Sequence, residues 1–482
     1  MRISKILLFA TVVLVLWGLI THGTHAGEGD EPHYLTMAHS LAFDRDLDLT
    51  NDYANTASLA LGDDFAPDEH ARPGKDGRLR PVHDVGMPIL FAPYYLLAYK
   101  AAGFAVAYIP NRFLQRAKLN FTVIRRHLLS LAMIGITALI SLSLLKIFTE
   151  LSNEPVRAMA WSALLILSPP LLSHSFLFFT EILSAFVAVR IFFWLRGNPS
   201  GRLAALFAGA CTGYLFLVHA RNVGLIAALM ALAAYRSRRW TNGSRLLVWF
   251  TGGAAVLLMA RTAVTYHFWG TWVTTPQARL GLGGGWQLFV AESLTRLAGW
   301  LFDQEHGLLP YAPVYLLVPL GWLMLWRSDR ELCVEISLVI AAYVGVMAVP
   351  TLNDHGWRGG WSPAARFLVP VAPFLCVLVF SAVARLRRVP VLILVVVATQ
   401  VCLDAIVWQH PKLLWNDGTG TSALLNYLSA GSGRLSAWFP SLVAPVGRRT
   451  IVAIGTGSII WVVTTAWLLQ RATATTTSTV GS

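Results

Sequence analysis

Charge, cysteine and nucleotide-binding signatures are what this sequence has least of. Asp, Glu, Lys and Arg make up only 13% of its 482 residues, whereas 55% are hydrophobic and the mean hydropathy is +0.57. That balance excludes a soluble globular chain and describes a polytopic membrane protein. The four cysteines, Cys211, Cys333, Cys376 and Cys402, each lie within an apolar segment. They form neither a metal pair nor a disulfide framework and read as free buried thiols. There is no Walker loop, dinucleotide fingerprint or HExxH zinc motif, and Gly281-Leu282-Gly283-Gly284-Gly285 lacks a P-loop lysine. The net charge of +13 does not imply nucleic acid. The basic residues sit mainly in short loops between apolar runs, where membrane orientation accounts for them.

Apolar runs of spanning length are present near 4–21, 127–147, 157–175, 178–195, 203–218, 222–235, 246–266, 309–326, 332–350, 367–384, 389–408 and 450–469. A crossing takes about 20 residues, so 222–235 must borrow from its flanks. The expected fold is an all-α bundle of about twelve or thirteen membrane helices. Arg2 and Lys5, an apolar core and Thr24-His25-Ala26 imitate a cleavable leader; the first run is read as a retained helix. The basic loops 196–202, 236–245, 327–330 and 385–388 share one side if every run from 127 onward crosses once, and the positive-inside bias makes that side cytoplasmic. The apolar stretch 88–109 then lies in the outer interface, with Tyr94, Tyr95 and Tyr99 as anchors. This leaves Arg112, Arg116, Lys118, Arg125 and Arg126 outside, either to serve an anionic ligand or because the count is short by one. The expected organisation is a catalytic bundle over 1–408 with a first external loop at 22–126, then a loop and last helix over 409–470, and a disordered tail over 471–482.

Against the scarcity of charge stands one concentration of it. Glu28, Asp30, Glu31, Asp44, Asp46, Asp48, Asp52, Asp63, Asp64, Asp68, Glu69, Asp76 and Asp84 are more than half of the chain's 25 acidic residues, and all lie in that first loop. Asp30-Glu31, before Pro32, is placed to act as a general base or to bind a divalent cation, or merely to solvate a helix start. His83-Asp84 returns to the membrane, with a helix cap as the plain alternative. Glu181 is flanked by apolar residues and calls for a partner; capping the next helix is its alternative. Arg221, in His219-Ala220-Arg221-Asn222, is a candidate phosphate ligand. Arg261 and His267 are weaker ones. Asp303, Glu305 and His306 are candidate ligands or solvated loop residues. In Trp357-Arg358-Gly359-Gly360-Trp361-Ser362-Pro363-Ala364-Ala365-Arg366-Phe367, tryptophans offer faces for sugar rings and arginines offer phosphate forks, with interfacial anchoring as the alternative.

Gly29-Asp30-Glu31-Pro32-His33-Tyr34, His83 to Pro88, Thr180-Glu181, His219 to Asn222 and Phe367-Leu368-Val369-Pro370-Val371 together resemble the GT-C superfamily of polyprenyl-phosphate-dependent glycosyltransferases, which includes the protein O-mannosyltransferases and aminoarabinose transferases. The likeness runs over most of 1–380. It implies Asp30 as catalytic base with Glu31 beside it, and Glu181 as the second loop's acid. It also implies Arg221 and Arg366 near the lipid phosphate. Substrate-binding roles then extend to His83, Asp84, His306, Arg358 and Trp361. The implied partners are a polyprenyl-phosphate sugar donor, a glycan, lipid or protein acceptor and the membrane lipids, with a divalent metal left open. The implied place is a plasma or inner membrane with the site on its external, periplasmic side. The aminoarabinose transferases carry a lysine near the end of the first loop where this chain has His83-Asp84, so the donor sugar is not transferred with the resemblance. The competing functions are a transporter or lipid flippase and a non-catalytic envelope scaffold. Reporter fusions test the geography: those at 60 and 290 are expected to read external and one at 240 cytoplasmic, and a cytoplasmic signal at 60 overturns the orientation.

Overall fold

The computed structural model describes residues 12–18, 21, 29–55, 66–67, 70–197, 199–272, 285–350, 357–384, 386, 390–443 and 461. The major helices are α1 (Glu31–Phe43), α2 (Gly86–Tyr108), α3 (Phe121–Ser152), α4 (Pro155–Ile166), α5 (Thr180–Arg196), α6 (Arg202–Val218), α7 (Val223–Arg236), α8 (Gly243–Trp269), α9 (Gly285–Phe302), α10 (Val318–Ser328), α11 (Arg330–Ala348), α12 (Ala372–Ser381) and α13 (Val391–Gln409). Among the described residues, α2, α3, α8, α11 and α13 are long and apolar enough to cross a membrane. The chain is an all-α membrane bundle; its only named strands in the described residues are β1 (Ala71–Pro73) and β2 (Leu79–Pro81), paired antiparallel. The first apolar run is described only at 12–18 and 21; the last run apart from 461, the 281–284 stretch and the tail lie outside the described residues.

Close backbone approach sets the tightest helix pair. A Cβ on Gly209 or Gly213 of α6 would strike the backbone of Phe250 or Ala254 in α8, and one on Gly253 would strike Leu206. Small residues four apart let two membrane helices touch, and van der Waals packing then supplies the attraction that lipid cannot. At one end of the bundle, Glu335 of α11 accepts from Arg236 Nε at 2.5 Å and pairs with Arg196, while Glu331 pairs with Arg239 at 2.7 Å. Arginines of the basic loops 196–202 and 236–245 therefore tie α5, α7 and α11 together. Asp404 of α13 stands apart from both ends, held by Ser168 at 2.7 Å and Gln400 at 2.9 Å.

Helix α2 stays at the other end. Gly86 abuts Leu217 and Val218 in the last turn of α6, and the Phe91 ring meets Phe178 at 5.5 Å. Tyr94 donates to the Leu128 carbonyl at 2.6 Å, and Tyr99 packs on Phe121, the first residue of α3, at 4.8 Å. The far end of α3 leads to Arg157, which donates to the carbonyls of Val383 and Ala384. Both halves of α2 thus contact the same end of the bundle, although its length and apolarity suffice for a crossing.

Several expectations need correction. The run 157–175 is not one helix. α4 ends at Ile166, a Pro169-Pro170 step follows, and only Leu171–His174 is helical beyond it, because proline removes a backbone donor and crowds the preceding turn. Between the runs 246–266 and 309–326 lies a further helix, α9, which is not among the expected apolar runs. Of the four thiols, Cys333 and Cys376 are buried, Cys211 is half-buried and Cys402 is exposed on α13; an apolar sequence around a cysteine in a membrane chain also describes a lipid-facing surface.

Leucine at Gly253 is expected to destabilise the detergent-solubilised protein by about 1–3 kcal/mol through overpacking. Leucine at neighbouring Gly252, where the structure has open space, should stay within about 0.5 kcal/mol. Equal losses in thermal melts would refute the close α6–α8 contact.

Candidate active site

The site begins with a glycine that only a glycine can be. Gly29 has φ +62, and a Cβ on it would come within 2.5 Å of the Trp361 carbonyl oxygen. The chain therefore passes directly against the loop that carries Arg366. Asp30 follows at the N-cap of α1, with Pro32 in its first turn, yet its side chain makes no capping bond. The carboxylate turns instead to Arg366, and Oδ2 pairs with Nη2.

From there a chain of alternating charges runs inward. Arg366 Nε donates to Glu181 Oε1 at 2.6 Å, and Arg221 Nη2 donates to the same oxygen at 2.5 Å and to Thr180 Oγ1 at 3.1 Å. Arg366 Nη1 is held by the Gly359 carbonyl at 2.9 Å. The Glu181 and Arg366 side chains are 0% and 5% exposed, whereas Asp30 is 20% exposed, so Asp30 is the solvent edge of a buried network. Phe179 and Phe367 flank the guanidiniums of Arg366 and Arg221 at 4.4 and 5.0 Å. Arg366 is aimed by Ala365, whose φ of +59 is uncommon for a residue with a Cβ. The Ala365 N–H is bonded to the His306 carbonyl at 3.0 Å. Burial by itself would raise the Asp30 carboxyl; Arg366, with His83 and His70, outweighs it and holds the group well below the usual carboxylate range.

Glu31 faces the other way. Its Oε1 accepts from the Phe178 N–H at 2.9 Å, and burial raises its carboxyl despite Arg126 nearby. The two adjacent acids thus serve different neighbours, because consecutive positions at a helix start diverge by about 100°. Arg125 donates to Tyr95 at 3.1 Å, so both arginines at the head of α3 look into the protein around α1 and α2.

His83 belongs to a histidine cluster. His70 Nδ1 and His83 Nε2 are 2.6 Å apart, and the His33 and His70 rings stack at 3.6 Å. Asp30, His70 and His83 each offer one ligand atom, all within 4.8 Å of one another. Burial pushes the His83 imidazole down to about 4, with Asp30 opposing. The cluster exists because β1 pairs with β2. Ala71 lies opposite Pro81, and the Val82 N–H donates to the His70 carbonyl, which sets His70 beside His83. His70 was not picked out from the sequence. The signal was there in Arg72-Pro73-Gly74-Lys75-Asp76-Gly77-Arg78-Leu79-Arg80-Pro81, a glycine-bearing turn whose flanks a hairpin brings together.

Asp84 does not cap α2, whose N-cap is Val85. It accepts from the Ala220 N–H at 2.6 Å and pairs with Arg261 at 3.1 Å, with burial raising its carboxyl. It thereby fixes the turn that carries Arg221, and with Arg261 and His83 it borders a small cleft. Glu181 is no surface cap either, being wholly buried. Three other candidates stand outside the ion network. Arg358 donates to the Val443 carbonyl at 2.8 Å, His306 packs edge-on to Trp357 at 5.9 Å, and Trp361 is exposed. Asp303 and Glu305 are loop staples: Asp303 accepts from Leu442 N at 2.7 Å, and Glu305 accepts from Gly418 and Gly420 N–H groups at 2.7 and 2.6 Å.

No family model matches the chain, and no curated protein matches it. Among solved structures it is similar to the archaeal oligosaccharyltransferase AglB from Archaeoglobus fulgidus, in complex with an inhibitory peptide and a dolichol-phosphate. The identity is 11%, the TM-score 0.41, and the match covers 90% of this chain and 58% of that one. The chain therefore spans less than two thirds of that neighbour's length.

Glu181→Gln leaves two buried guanidiniums facing each other and is expected to cost about 3–5 kcal/mol in thermal unfolding. Asp30→Asn, at the exposed edge, should cost clearly less. The opposite order would show that Glu181 is not the centre of the network.

Proposed function

We propose that the chain is a membrane glycosyltransferase of the GT-C kind, moving a sugar from a polyprenyl-phosphate donor to an acceptor hydroxyl at the external membrane face. The observation that carries this is the position of Asp30, a carboxylate paired with Arg366 at the accessible edge of a buried Arg–Glu–Arg chain, at one end of an apolar bundle. A lipid-borne donor suits that place, because its tail remains in the bilayer while its sugar reaches the edge residue.

The reaction is a single displacement with inversion. The acceptor oxygen bonds to the anomeric carbon, the carbon–oxygen bond to phosphate breaks, and the phosphate keeps the electron pair. The hydroxyl proton passes to Asp30. A carboxylate held so far below its ordinary range is a weak base, so it takes the proton only as the forming bond makes the hydroxyl acidic. Until that transfer its negative charge also steadies the positive charge that builds on the sugar ring.

The arginines divide the work. All three Arg366 side-chain nitrogens have partners within the protein, so Arg366 is a positioning residue for Asp30. Arg221 is engaged through Nη2 and is the better candidate for the departing phosphate. A transporter would want its buried ion pairs along a path through the bundle; here they gather at its two ends.

The test is transfer from a panel of polyprenyl-phosphate sugars by the purified protein in lipid nanodiscs, with products identified by mass spectrometry. Asp30→Asn is expected to lower turnover by about 10²–10⁴-fold while the melting temperature stays near that of the parent. Undiminished turnover in Asp30→Asn would sink the base assignment.

A further inference from the structure

We infer that Asp30, His70 and His83 form a binding site for a divalent cation of the zinc and cobalt class. The geometry points to it in three ways. The three side chains come from positions far apart in sequence and converge, with their ligand atoms within 4.8 Å of one another. A tetrahedral ion with bonds of about 2.0–2.1 Å needs donors only about 3.3 Å apart, so rotations of the existing side chains close the set. Two imidazoles and one carboxylate also make the donor mixture that favours borderline transition ions, whereas magnesium and calcium prefer all-oxygen shells.

An ion pair holds the aspartate, and ring packing holds the histidines. Arg366 engages one oxygen of Asp30, and a carboxylate has a second. The His33 ring stacks on His70, and His33 Nδ1 lies 2.7 Å from the Tyr53 hydroxyl. The Tyr34 ring lies 5.0 Å from His83. His70 Nδ1 and His83 Nε2 lie 2.6 Å apart, closer than the roughly 3.3 Å that two ligands of one tetrahedral ion keep, so the two rings must part slightly to hold one. The competing account is a plain N–H···N hydrogen bond between neutral imidazoles.

Resting on the glycosyltransferase reading, such an ion would supply positive charge beside Asp30 where the phosphate of the donor departs. It would bring the self-neutralised network, whose two arginines already face two carboxylates, a charge able to meet an anionic headgroup.

The experiment uses the full chain without a polyhistidine tag, in detergent, stripped with EDTA and then titrated with zinc chloride and, separately, cobalt chloride. Elemental analysis after desalting is expected to find about one zinc per chain, and cobalt should give visible tetrahedral bands. His70→Ala and His83→Ala should each bind at least about tenfold more weakly, while exposed His410→Ala binds like the parent. His70→Gln, closer in volume, should also lose the cobalt bands, and its zinc-free melting temperature shows whether it folds. A parent protein that retains no metal, or a His70→Ala variant that binds like the parent, overturns the site. Sugar transfer at full rate by a protein that binds no metal removes the site and leaves the transferase standing. Zinc bound as described, without transfer to any acceptor, supports the site and removes the transferase.

Discussion

The structure turns on one oxygen. Glu181 Oε1 is wholly buried in an apolar bundle and receives two guanidiniums, Arg221 and Arg366. A lone charge at that depth would be prohibitive, and the pairing makes it tolerable only while both partners hold their geometry. Everything around the site can be seen as supplying that geometry. Asp84 binds the turn bearing Arg221, and the left-handed Ala365 aims Arg366. Gly29 allows the chain to run against Trp361, so that Asp30 meets the outermost guanidinium.

The same logic governs the opposite end, where Glu335 gathers Arg196 and Arg236. That second network joins α5, α7 and α11, while the site network joins α5 to the turns that carry Arg221 and Arg366. Hydrophobic attraction between helices is weak in lipid, so such polar ties and the glycine-mediated contact of α6 with α8 do much of the specifying. A frame of this kind suits a site whose proposed base, Asp30, sits at the start of α1 and not within a spanning helix.

Much of this was legible in the order of residues. Most crossings, the helix start at Pro32 and the isolation of Glu181 within apolar neighbours all show as local patterns, because burial in lipid imposes composition and length directly. The turn 219–222 and the Trp/Gly loop likewise marked Arg221 and Arg366 as candidate phosphate ligands. The direction of each side chain was not legible. Asp30 and Glu31 are adjacent and chemically alike, but one joins Arg366 and the other the Phe178 N–H. Arg358 and Arg366 share a loop, but only one enters the network.

Composition and periodicity therefore fix that the chain is a helical membrane protein with its acids gathered in one loop, since each of those properties belongs to a single stretch of residues. Which acids meet which bases, and that His70 lies beside His83, depends on contacts between stretches as distant as residues 30, 181, 221 and 366. Those pairings follow from the way the helices and the β1–β2 hairpin pack, and no local run of residues encodes them.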